Sequence, residues 1–147
     1  MAWVREVRDA KPELDKLVSR LKQYGAVVES IEDSMDVAAL HYKIVFAYPE
    51  GAVVTIGMIL KDHQTDSDAV IETMTTLPED QRGKGFGAMA IKSVLQWAKD
   101  NGLGEVRATQ IRTENEKFWE KNEFKKAEDG NPCNDFVHKI FREESRQ

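Results

Sequence analysis

The sequence is short of the residues that staple or metallate small proteins. It has one cysteine, Cys133, so no disulfide forms within the chain and no multi-cysteine zinc site can be built. Its three histidines, His41, His63 and His138, are too scattered for a recognisable metal cluster, and no metal is expected. Four prolines leave no proline-rich linker, and no repeat or low-complexity tract breaks the chain. No apolar run reaches signal-peptide or membrane-spanning length. Bases are outnumbered, 21 Lys+Arg against 26 Asp+Glu, which argues against a nucleic-acid partner. What remains is 147 residues, 41% hydrophobic and 32% charged, the composition of a globular chain. A chain of this length buries roughly two-thirds of its unfolded surface and needs no staple. The expectation is one domain over residues 1–147, cytoplasmic, with no membrane contact.

Alternating apolar and charged residues predict a strand over 2–8. Asp9 then caps a helix entered through Pro12, with Leu14, Leu17, Val18 and Leu21 as its apolar stripe and Gly25 as its stop. Residues 29–36 carry four acids and no base, and read as a solvated short helix or loop, or as an acidic lip. Residues 37–48 and 52–60 read as a hairpin around Tyr48-Pro49-Glu50-Gly51. Lys61 to Asp68 is a polar loop, and 69–77 a further strand antiparallel to its predecessor. A second helix over 88–101 shows Ile91, Val94, Leu95 and Ala98 at helical spacing, with Trp97 beside the stripe as a core residue. A strand at 104–111, a short helix at 114–122 and a closing hairpin of 123–128 with 133–141 complete the chain. This is an α+β sandwich: about seven mostly antiparallel strands with about four helices.

Between the fourth strand and the helix after it stands Arg82-Gly83-Lys84-Gly85-Phe86-Gly87. Helix N-termini expose unpaired amides and the positive end of the macrodipole, and glycines let an anion approach the backbone closely. The segment therefore reads as a phosphate grip. Position 90 is Ala90 and the surrounding sheet reads antiparallel, which disfavours a dinucleotide fold. Gly83-Lys84 is followed by Gly85 rather than Ser or Thr, which disfavours a Walker loop.

Arg82 to Gly87 fills every fixed position of Gln/Arg-x-x-Gly-x-Gly/Ala and resembles the hallmark of the GNAT N-acetyltransferase superfamily. Phe118-Trp119-Glu120-Lys121-Asn122-Glu123-Phe124 is similar to that family's Phe-Tyr-Glu-Lys-x-Gly-Phe stretch. The resemblance implies acetyl-CoA as cosubstrate and transfer of its acetyl group to a primary amine by direct attack in a ternary complex. It implies that Arg82, Gly83, Lys84, Gly85, Phe86, Gly87 and Ala88 grip the pyrophosphate. It further implies that Met74, Thr75, Thr76 and Leu77 pair with the pantetheine arm, in a gap where the fourth and fifth strands splay. Asn115, Phe118 and Trp119 would contact the cosubstrate from the following helix, with helix capping as the other reading of Asn115.

An amine must lose a proton before it attacks. Because the family often places a glutamate on the fourth strand, the resemblance implies Glu72 as general base, a solvated or ion-paired strand residue being the other reading. Its orientation depends on strand parity and on any bulge near Met74. Trp119 stands where the family places a proton-donating tyrosine, and an indole cannot act as that acid. Tyr42 and Tyr48 on the second strand are candidate substitutes, with core or edge aromatics as their other reading. Trp119, with Glu123 in place of the glycine before Phe124, also fits an alternative: a catalytically weak or inactive CoA-binding or protein-interaction module. The resemblance implies that the acceptor enters from the side opposite CoA, which would bring Glu29, Glu32, Asp33 and Asp36 near Asp129 and Asp135 as an acidic rim drawing a cationic amine. The resemblance also suggests a homodimer, with 133–141 as its edge.

Overall fold

The computed structural model describes residues 2–31, 40–60, 68–128 and 131–140. Its first element is a helix, α1 (Ala2–Ser19), where a strand over 2–8 was expected. Alternation there lasts only a few residues. Trp3, Val7, Ala10, Leu14, Leu17 and Leu21 instead keep a four-then-three spacing, and the longer helical period prevails. Pro12, expected at the helix entrance, therefore lies inside α1, where it removes one backbone donor. Val18 and Leu21 are buried and Leu14 and Leu17 pack against the core, as the stripe predicts. A 3-10 turn (Arg20–Tyr24) stops at Gly25, whose φ of 94° is the expected left-handed terminus.

The chain then forms a strand that the acid-rich composition had hidden, β1 (Ala26–Ile31). Glu29 sits exposed on it, while residues 32–36 of the acidic stretch lie outside the described residues, as do 61–67 of the polar loop. Next come β2 (Leu40–Ala47) and β3 (Val53–Leu60), the expected hairpin. Its turn is closed by Gly51 N donating to Tyr48 O (2.9 Å) and Tyr48 N to Ala52 O (2.8 Å). β4 (Ala69–Leu77) pairs antiparallel with β3. After it come α2 (Phe86–Asp100), β5 (Glu105–Ala108), α3 (Glu116–Lys121), β6 (Lys125–Lys126) and β7 (Phe136–Lys139).

The seven strands form one sheet in the order β1-β2-β3-β4-β5-β7-β6, and only β4 and β5 pair in parallel. This is the mixed, mostly antiparallel sheet read from the sequence. Three α-helices and three 3-10 segments accompany it among the described residues, where about four helices were expected. One expectation is reversed: β7, from the 133–141 segment named as an edge, pairs with β5 on one side and β6 on the other. The edges are β1 and β6. Among the described residues no helix is long and apolar enough to cross a membrane.

One core joins α1, α2 and the inward faces of the central strands. Trp97 is fully buried there, and its Nε1 donates to Leu17 O across the two helices (2.8 Å). Tyr42 is buried beneath α1, its hydroxyl donating to Asp15 Oδ1 (2.6 Å). Phe124 is buried, and the residue before it settles a question raised by the sequence. Glu123 adopts a φ of 71°, so the turn keeps the left-handed conformation a glycine would supply. Such a conformation costs a non-glycine residue about 1–2 kcal/mol.

Two outcomes follow. Burial first, then the hydrogen bond and charge of Asp15, push the Tyr42 hydroxyl above its ordinary pKa of 10.0. The stabilisation is therefore complete below pH 10 and is lost as pH rises, because the unfolded chain releases the proton first. In alkaline urea titrations the wild type should lose up to about 1.4 kcal/mol per pH unit more than Tyr42→Phe above pH 10. Glu123→Gly should stabilise the protein by about 0.5–1 kcal/mol, strain relief exceeding the added chain entropy, as read by the urea midpoint.

Candidate active site

β4 carries an irregularity that decides which way its residues face. Gly57 pairs with Thr73 but Met58 with Ile71, so Glu72 is an extra residue, a bulge in the ladder. Without it Met74 would share a face with Glu72. With it Met74 turns inward and packs against the core that also holds Ile71, while Glu72 and Thr73 are exposed. The parity switch anticipated near Met74 thus falls on Glu72 itself. Gly57 faces Thr73 beside the bulge, and a Cβ there would stand 2.5 Å from Thr73 Oγ1, so the hydroxyl would have to move.

β4 and β5 are fastened at one end and open at the other. At the start, Asp68 Oδ2 accepts from Gly104 N (2.6 Å) and Glu105 N (3.3 Å). The parallel ladder then runs only from Ala69 to Ile71, and Thr109 N donates its last bond to Ile71 O (3.1 Å). Beyond this point β4 continues to Leu77 with no partner strand on that side among the described residues, which is the splay expected of the fourth and fifth strands. Arg82 Nε donates to Thr76 O (2.9 Å), so that carbonyl faces away from β3, and by the two-residue period so does that of Met74.

The glycine loop closes the open end. Gly83 and Gly85 have φ of 81° and 92°, and Gly85 is the residue from which α2 departs. The amides of Phe86, Gly87 and Ala88 open the helix and have no intrahelical carbonyl to bind. They add to the positive end of the helix dipole. Phe86 is buried with its ring against Tyr48 (centroids 5.2 Å), which pins the start of α2 to the end of β2.

Between these walls lies a cleft of about 940 Å³. Of the residues singled out from sequence, Glu72, Met74, Thr75, Thr76, Arg82, Gly83, Gly85, Gly87, Ala88, Asn115, Phe118 and Trp119 line it. Leu77, Lys84 and Phe86 do not. Leu77 is half-exposed beyond the cleft, Lys84 is exposed on the loop, and Phe86 offers only its backbone to the helix start. Asn115 occupies the cap position of α3 but makes no side-chain cap hydrogen bond. Trp119 is 5% exposed, wedged edge-on between Phe118 and Phe124. Sequence reasoning missed Ile71, Thr73, Thr109, Gln110, Ile111, Arg112, Lys121 and Asn122, which complete the lining. The signal was available, because crevices in open sheets form beyond the carboxyl ends of parallel strands.

The cleft holds three cations, Arg82, Arg112 and Lys121, and one carboxylate, Glu72. The expected acidic rim is not assembled among the described residues. Glu29 is on edge strand β1 while Asp135 adjoins β7, five strand positions away, or about 24 Å. Asp135 is also committed elsewhere, accepting from Thr109 Oγ1 (2.8 Å) and Gln110 N (3.0 Å). Asp129 lies outside the described residues. Neither Tyr42 nor Tyr48 lines the cleft, and burial raises the pKa of both hydroxyls.

The glycines of the loop should respond oppositely to alanine. Nothing lies within 4 Å of a Cβ on Gly85, so Gly85→Ala costs only backbone strain, about 1–2 kcal/mol. A Cβ on Gly87 would meet Met74 Cε and Phe118 at an ordinary 3.5 Å. Gly87→Ala should instead stabilise the helix by about 0.5–1 kcal/mol, both changes being read from urea unfolding.

Comparison with known proteins bears on this geometry. Residues 11–124 match the model of the acetyltransferase (GNAT) family. No curated protein sequence matches the chain. Among solved structures, a GNAT-family acetyltransferase from Staphylococcus aureus Mu50 superposes with a TM-score of 0.52 at 15% identity. The superposition covers 91% of this chain and 95% of that one. A Bacillus subtilis acetyltransferase in complex with CoA gives 0.51 at 15% identity, covering 79% of this chain and 99% of the other. At such identities the likeness is one of fold, and it is the family model, matched over more than half the chain, that assigns the lineage: the chain belongs to the GNAT acetyltransferase family.

Proposed function

We propose that the cleft binds acetyl-CoA and that the protein transfers the acetyl group to a primary amine by direct attack in a ternary complex. The observation that carries this reading is the continuity of one cleft from the glycine loop, along the free edge of β4, to Glu72. The residues present suit the cosubstrate. First-turn amides of α2 and the Arg82 guanidinium supply donors for a pyrophosphate, each such bond contributing about 1.5–3 kcal/mol. The outward carbonyls near Met74 and Thr76 offer acceptors to an amide-bearing arm laid along β4 as an added strand. From Thr76 to Glu72 the strand spans about 13 Å, so the phosphate grip and the carboxylate are separated by an arm's length.

When bound, acetyl-CoA supplies an activated acetyl thioester. Glu72 receives the amine's proton, directly or through water. That removal costs about 4–5 kcal/mol at pH 7 for a lysine-like amine without such help. The bulge serves this role by aiming Glu72 into the cleft while Met74 turns to the core. Trp119 packs and excludes water, and donates no proton to the departing sulfur. A thiol pKa near 8.5 lets that sulfur leave as thiolate at modest cost near neutral pH.

A second reading has its own support. No tyrosine lines the cleft among the described residues, and Trp119 is buried where the family's acid would stand. This favours a module that holds CoA without turnover. The two readings part in one experiment. Under both, CoA at about 100 times its Kd should stabilise the protein by roughly 2.7 kcal/mol in a thermal-shift titration. Under the enzymatic reading, acetyl-CoA with a panel of primary amines releases free thiol. Glu72→Gln should then lower kcat by about 10²–10⁴-fold while leaving the Kd for CoA unchanged. Thiol release at the blank rate with every amine would leave the binding module standing, and absence of any CoA-induced shift would remove both.

A further inference from the structure

The cleft exists because β5 abandons β4 after one last hydrogen bond, and the backbone shows where the departure is enforced. Along a regular strand, alternate amides point to the same neighbour. Thr109 N points to β4, bonding Ile71 O at 3.1 Å, so Ile111 N should point there too. It points the other way, to Asn134 O beside β7 (3.2 Å). The residue between them, Gln110, has a φ of 56°, a left-handed conformation that a glutamine holds only when its surroundings impose it. One carboxylate oxygen spans this switch. Asp135 Oδ1 accepts from Thr109 Oγ1 (2.8 Å) and from Gln110 N (3.0 Å).

Asp135 is itself held. Its amide donates to Asn131 Oδ1 (2.7 Å), and its other carboxylate oxygen lies 3.6 Å from Arg107 Nη1 in a largely buried ion pair. Asn134 Nδ2 meanwhile donates to Ile111 O (2.7 Å) and to Glu116 Oε2 (2.9 Å), which extends the fastening to α3. We propose that Asp135 is a positioning residue for acyl-CoA binding: its carboxylate clasps the end of β5 to the β7 side and so keeps the free edge of β4 open. This rests on the reading that the cleft holds acyl-CoA. Asp135 does not line the cleft, and acts through Thr109 and Gln110, which do.

The test uses the full chain with CoA itself as the probe. Asp135→Ala should raise the Kd for CoA and the KM for acetyl-CoA about tenfold or more, with kcat changed much less, since charged hydrogen bonds are lost at the switch. Asp135→Asn retains an acceptor oxygen for Thr109 and Gln110 while breaking the Arg107 ion pair. It should therefore lower Tm yet hold the Kd within about threefold. In the Asp135→Ala background, Gln110→Gly should recover much of the affinity, because glycine adopts the left-handed conformation without being held. Should Asp135→Ala fold poorly, Thr109→Val removes one clasp donor at constant shape and should weaken CoA binding in the same direction. If Asp135→Ala or Thr109→Val lowers Tm with the Kd for CoA unchanged, Asp135 is merely structural and the proposal falls. Hydrogen exchange at the Gln110 and Ile111 amides in the free protein separates this from failure of the cosubstrate reading. If the wild type binds no CoA, faster exchange of these amides in Asp135→Ala than in wild type still supports the clasp, and equal exchange overturns it.

Discussion

The site depends on an asymmetry in a single strand. β4 is paired with β3 along its length, yet on its other side it has a partner strand only as far as Ile71. A strand edge left open inside a sheet presents donors and acceptors that must find water, a side chain or a ligand. Arg82 satisfies one of them, at Thr76 O, and in doing so ties the glycine loop to the strand it follows. The rest face the cleft. The bulge at Glu72 belongs to the same asymmetry, because it sits one residue past the last parallel pair and rotates the remainder of β4 relative to its start. A carboxylate at the opening and a core-facing Met74 beyond it are two consequences of one inserted residue.

What the sequence revealed and what it concealed divide along the range of the interactions involved. The β2–β3 hairpin, β4, α2 and the glycine loop are each specified by neighbours in sequence, and each was legible. Gly25 stops a helix because no Cβ opposes a left-handed φ, a property readable at one position. The strand β1 was hidden because its acidic continuation suggested loop, although Val27, Val28 and Ile31 carry β-branched side chains and pair with β2. The helical N-terminus was hidden by a local alternation that a longer period overrode. Glu123 shows the limit of motif matching: the family's glycine is absent, but its backbone conformation is kept at an energetic cost.

Features that depend on cross-strand partners could not be read at all. The direction of Glu72 is decided by the register of β4 against the neighbouring strand β3, where Gly57 pairs with Thr73 and Met58 with Ile71. The direction of Gln110 is decided by Asp135, which the family resemblance placed in an acidic rim. That assignment failed for a physical reason. A rim placed by family analogy treats each carboxylate as solvated and free, whereas the largely buried Asp135 is taken up by the Thr109 hydroxyl, the Gln110 amide and the Arg107 guanidinium.

A distinction between summed and local charge bears on the leaving group. The chain carries a net charge of -5, yet the cleft is lined by Arg82, Arg112 and Lys121 against Glu72 alone. Low-dielectric walls focus a local field, so this slot attracts anions from within an acidic molecule. Nearby cations also favour a thiolate over its thiol and lower its pKa. A family member with tyrosine at position 119 can protonate the sulfur as it departs. In the proposed reaction, with tryptophan there, the sulfur leaves as thiolate, and the net positive lining of the cleft lowers the cost of that charge. Replacing the acid by an indole therefore does not by itself imply loss of turnover: in the proposed reaction it moves the burden of the departing charge from a proton donor to the electrostatics of the cleft.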